Sequence, residues 1–83
     1  MPTVLRIGPY RFHFYAGESD EPPHVHVARD RAEAKFWLDP VAVAHSKGFS
    51  AAELRDVERI TNVHQRPLLD AWINRPRPGS TRA

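Results

Sequence analysis

From Thr3 to Leu38 the chain alternates apolar and polar positions with a period of two, and after Phe49 it changes to the wider spacing of a helix. Period two marks strands with one dry and one wet face. Thr3-Val4-Leu5-Arg6-Ile7 is a short β-branched run closed by Gly8-Pro9, a turn pair. From Tyr10 to Tyr15, Tyr10, Phe12 and Phe14 fall on one side and Arg11, His13 and Tyr15 on the other. Ala16 to Pro23 reads as a loop with acidic Glu18, Asp20 and Glu21, stiffened at its exit by Pro22-Pro23. His24 to Ala28 alternates again, with Val25 and Val27 opposite His24 and His26. After the polar turn Arg29-Asp30-Arg31, the run Ala32 to Leu38 sets Ala34, Phe36 and Leu38 against Glu33, Lys35 and Trp37. Asp39-Pro40 ends it, and Val41 to Ala44 fits either a further short strand or one helical turn.

The second half predicts two helices. Ser50 is placed to cap the first, Glu53 is its capping-box partner three residues on, and Phe49 can staple onto Leu54. Leu54, Val57 and Ile60 continue the stripe. Pro67 would break a continuing helix, so a second one should begin near His64 to Arg66 with Pro67 in its first turn. Leu68, Leu69, Trp72 and Ile73 form its apolar face. Strands followed by helices predict an α+β domain over residues 1–75: an antiparallel meander of three to five short strands, then two C-terminal helices packed on one sheet face. Residues 76–83 are expected to form a disordered tail. The expected core is Phe12, Phe14, Val25, Val27, Ala34, Phe36, Leu54, Val57, Ile60, Leu69 and Trp72.

Composition narrows the function classes. At 83 residues and 41% hydrophobic content, the chain is one small globular domain. A domain of this size buries only roughly two-thirds of its unfolded surface, so a partner, including a second copy, would help stabilise it. The absence of cysteine excludes disulfides, zinc ribbons and thiol nucleophiles. No apolar run reaches the ~20 residues of a membrane span, and Met1-Pro2 opens no signal peptide, so a cytoplasmic location is the expectation. The net charge of +2 is small. Nucleic-acid binding would therefore rest on a local cluster of cations.

The pleat supplies such a cluster. If Phe12, Val25 and Phe36 face the core, then Arg11, His13, His24, His26, Glu33, Lys35 and Trp37 emerge together on the wet face. One reading is acid–base chemistry of the kind a small metal-independent ribonuclease uses. His24 and His26 would then move protons or touch phosphate, Arg11 and Lys35 would stabilise negative charge, and Glu33 would orient them. A second reading is a non-catalytic docking surface for protein or nucleic acid, with His13, Trp37 and Pro23 as binding residues. A third is a solvated polar face with no ligand. His24-x-His26 with His13 could offer three nitrogens to zinc, but no carboxylate is spaced to complete the set, and no metal or cofactor is assigned. Arg55 and Arg59 on the first helix read as a solvated face, and His45 and His64 as structural.

Glu21-Pro22-Pro23-His24-Val25-His26-Val27, together with Ala34-Lys35-Phe36-Trp37-Leu38, Gly48-Phe49-Ser50 and Glu53-Leu54, resembles the small bacterial family catalogued as domain of unknown function 4160. The resemblance runs from about Pro2 to Ile73, and the family's shared residues fall on Glu21, Pro22, Pro23, His24, His26, Lys35 and Trp37. It implies a compact α+β domain encoded beside a second small protein, in pairs that look like toxin–antitoxin modules. This chain would be the toxin-like member, with the adjacent antitoxin as its protein partner and RNA as a candidate target. It implies no mechanism. Pro67 and the Arg-Pro-rich tail depart from the family pattern.

Overall fold

The computed structural model describes residues 3–15 and 21–75, so the expected tail at 76–83 and most of the acidic loop lie outside the described residues. Five strands, β1 (Thr3–Ile7), β2 (Tyr10–His13), β3 (His24–Arg29), β4 (Ala32–Leu38) and β5 (Val41–Lys47), precede two helices, α1 (Ala51–Val63) and α2 (Gln65–Asn74). The strands form one antiparallel sheet in chain order, so the architecture is the α+β meander with two C-terminal helices that the alternation predicts.

The segment after Asp39-Pro40 is a strand and extends to Lys47, beyond the Val41–Ala44 stretch that the sequence left open. The second strand stops at His13, short of Tyr15. Both outer pairings slip by one residue. Val4 is the extra residue on β1, and Ala44 the extra residue on β5.

Val25 and Val27 of the middle strand and Phe12, Phe36 and Leu38 beside them are wholly buried. Val57, Leu68 and Trp72 from the helices join them in one apolar cluster. Burying each such side chain stabilises the fold by about 1.5–3 kcal/mol. Tyr10, Leu38 and Leu68 belong to this core, whereas Leu54, Ile60 and Leu69, expected inside, pack only partly buried against it. The helical stripe is therefore rotated toward Val57 and Leu68. Adjacent stripe positions differ by ~100° around the axis, so a small rotation exchanges which of them face the sheet.

Local chemistry sets the joints. Ser50 accepts from the Glu53 amide at 3.1 Å, and the Ser50 amide donates to the Glu53 carboxylate at 2.9 Å, closing the capping box. Arg29 Nη1 reaches Glu53 Oε2 at 3.1 Å and ties that helix start to β3. Gly48 has φ +90°, and a Cβ there would lie 3.1 Å from Ala32 Cα, so the chain can enter α1 along this path only with glycine. Pro67 sits in the first turn of α2, and Gln65 Nε2 donates to the Leu38 carbonyl at 2.7 Å, anchoring that helix to the end of β4.

Candidate functional site

The register lays out the face opposite the core as three rows. In the first, Arg6 pairs with Arg11, Arg11 with Ala28, Ala28 with Glu33, and Glu33 with Lys47. In the second, His13 pairs with His26, His26 with Lys35, and Lys35 with His45. In the third, His24 pairs with Trp37 and Trp37 with Ala42. Directly paired residues share a face, so the grouping of Arg11, His13, His24, His26, Glu33, Lys35 and Trp37 expected from the pleat is present. The helices pack on the other face, and Trp72 of α2 also reaches His24 at the end of the sheet.

The grouping holds, but the expected solvent access does not hold for two of its members. His24 is 0% exposed and His26 8% exposed. At the end of the sheet the His24 ring is enclosed by Trp72 at 4.7 Å, His26 at 5.2 Å and Trp37 at 5.8 Å. Its Nδ1 lies 3.0 Å from the Pro22 carbonyl. A carbonyl only accepts, so Nδ1 carries the proton and is committed to holding the Pro22-Pro23 bend. His24, expected on the wet face, is thus a buried ring packed at the end of the sheet. The alternation could not show this, because the covering ring comes from α2. His26 is covered by Tyr15 at 4.3 Å and lies nearly parallel to His13, with ring centroids 5.8 Å apart.

The remaining candidates divide by exposure. Arg11 and Glu33 are exposed, as are Arg6, His45 and Lys47 in the same rows. His13, Lys35, Trp37 and Pro23 are half-buried, and the Pro23 carbonyl accepts from the Leu38 amide at 3.0 Å. Burial holds the His13 imidazole below its ordinary pKa, with the neighbouring His26 and Arg11 pushing the same way and Glu33 opposing them. Lys35 Nζ makes an ion pair with Glu21 Oε1 and lies 4.8 Å from the Trp37 ring centroid.

Three contributors were not among the assigned residues. Tyr15 packs its ring on both His13 and His26. Its alternation with Arg11 and His13 was the available signal. Glu21 neutralises Lys35 from a loop, where periodicity is silent. Arg6 completes the first row, which follows from the register of β1 on β2.

Among the described residues no group of three or more His, Cys, Asp or Glu side chains is arranged to hold a metal ion. A cavity of about 320 Å³ lies at the β3–β4 turn and the start of α1, lined by Arg29, Asp30, Arg31, Ala32, Gly48 and Glu53. None of the assigned site residues lines it. Among the described residues no helix is long and apolar enough to cross a membrane.

A five-stranded antiparallel meander backed by two helices, with a basic, imidazole-rich second face, defines a small α+β domain. The chain belongs to the family described as domain of unknown function DUF4160, whose model matches residues 10–73. No curated protein and no solved structure matched the chain.

Proposed function

We propose that the chain is a non-catalytic module that binds single-stranded RNA on its helix-free sheet face. The toxin-like role implied by the family resemblance would then work by capturing RNA, without cutting it. One observation carries this reading: Arg6 and Arg11, both exposed, are direct cross-strand partners. Like charges facing each other across a ladder destabilise it, and a phosphate between them offsets that repulsion. Lys47 ends the same row, the His13 ring lies in the next row, and Tyr15 and Trp37 lie beyond it as surfaces on which bases can stack. Cleavage is the less favoured chemistry because the Nδ1 proton of His24 is bound to Pro22 and its ring is sealed.

The test is fluorescence anisotropy of a labelled oligouridylate titrated with the protein at several salt concentrations. Three backbone contacts, from Arg6, Arg11 and Lys47, give a slope of log K on log salt of about −2. The Arg6→Gln, Arg11→Gln double variant should lose most of the binding. Salt-independent binding, or an unchanged double variant, overturns the reading, and RNA fragments appearing without binding to the intact strand restore the ribonuclease. Growth after induced expression tests the toxin-like part: wild type should slow growth and the double variant should not, and equal growth of both with abundant folded protein overturns it.

A further inference from the structure

The Lys35 ammonium is held in a corner. Its side chain is only 12% exposed, it lies 4.8 Å from the Trp37 ring centroid, and its cross-strand partners on both sides are imidazoles, His26 and His45. An ammonium is a strongly hydrated point charge, and one removed from water needs an anion against it. Among the described residues, the carboxylate that serves it is Glu21. Glu21 Oε1 pairs with Lys35 Nζ and also lies 3.8 Å from His24 Nδ1. Glu21 is 42% exposed and reaches in from the loop side, whereas the cation and the rings around it are fixed on strands. The carboxylate is thus the movable member of the pair.

We propose that the corner formed by Lys35, Trp37 and His45 is a phosphate-binding site that the chain's own Glu21 fills, so that a phosphate enters by displacing this carboxylate. A phosphate oxygen accepts from an ammonium as a carboxylate oxygen does, and the phosphate carries further oxygens for the exposed imidazole of His45 beside it. Glu21 turns outward into water when it leaves. The corner is therefore self-inhibited, and its affinity for phosphate is set by competition with a tethered carboxylate. This deepens the RNA reading and rests on it only for the source of the phosphate.

The experiment uses two probes on the full chain. Pyrophosphate tests the corner, and oligouridylate tests the face. Binding is read from the indole N–H resonance of Trp37, with circular dichroism to check folding. Glu21→Gln should bind pyrophosphate at least tenfold more tightly than wild type, and Glu21→Gln with Lys35→Gln should lose that gain. Should Glu21→Gln unfold, wild type at millimolar pyrophosphate gives the same answer: the Trp37 indole and the Glu21 amide must shift together and saturate. No gain in the variant, or no joint shift in wild type, overturns the corner as a phosphate site. A corner that answers to pyrophosphate while oligouridylate binds nowhere leaves this proposal standing and overturns the RNA reading. Salt-dependent oligouridylate binding with a silent corner does the reverse.

Discussion

Replacing His24 separates structure from chemistry on this face more sharply than any other change. The ring is 0% exposed, touches two tryptophans and one histidine, and holds the Pro22 carbonyl at 3.0 Å. Removing a buried ring of this size in His24→Ala costs roughly 2–4 kcal/mol, using the scale of large-to-small core substitutions. Losing the hydrogen bond adds about 1 kcal/mol. An 83-residue chain has a total stability of roughly 4–12 kcal/mol, so the variant should lose about a quarter of it or more. Two further variants divide the effect. His24→Phe keeps the ring and loses the donor, and should cost about 1–2 kcal/mol. His24→Asn keeps a donor where Nδ1 sits and loses the outer ring, and should fall between Phe and Ala. Urea unfolding followed by tryptophan fluorescence reads all three. With a slope of about 1 kcal/mol per molar urea, His24→Ala should move the midpoint down by about 3–5 M. A midpoint within about 0.3 M of wild type would refute the reasoning, because it would mean the ring is not packed as described.

Other consequences can be measured separately. His13 has a folded-state pKa below the ordinary 6.5, so the unfolded chain binds more protons between the two values, and this group makes stability fall as pH drops below about 6.5. His13→Gln should flatten that part of the pH–stability curve, and an unchanged slope in chemical unfolding at pH 5 to 8 would count against it. Gly48→Ala forces φ +90° on a residue with a Cβ and presses that Cβ to 3.1 Å from Ala32, so it should cost roughly 1–3 kcal/mol, seen as a lower melting temperature. An unchanged melt would mean that the Gly48–Ala32 approach relaxes freely. Ser50→Ala removes the acceptor for the Glu53 amide and should cost about 1 kcal/mol, with faster hydrogen exchange at that amide. Exchange as slow as in wild type would show that the cap is not needed.

Much of the fold is legible in local sequence because local chemistry specifies it. The period-two runs place Phe12, Val25, Val27 and Phe36 inside, and Ser50 with Glu53 marks the helix start where it occurs. The face was legible in the same way, since side-chain parity alone puts His13, His26 and Lys35 on one side, and the strand register then sets them in one row. What escaped is non-local. Trp72 closes over His24 from α2, and no periodicity in β3 announces a ring arriving from so far along the chain. Glu21 reaches Lys35 from a loop, where parity has no meaning. Val41 to Ala44 is too short and too small-sided to tell strand from helical turn, and its pairing with β4 decides the matter.

The extra residues Val4 and Ala44 sit on the two outermost strands, one at each border of the sheet. A bulge bends its strand and interrupts the regular ladder that an incoming strand would need. Neither border therefore offers a clean template for fusing sheets end to end or for growing fibrils. The broad polar side instead presents charges and rings, whose contacts salt and pH can reverse.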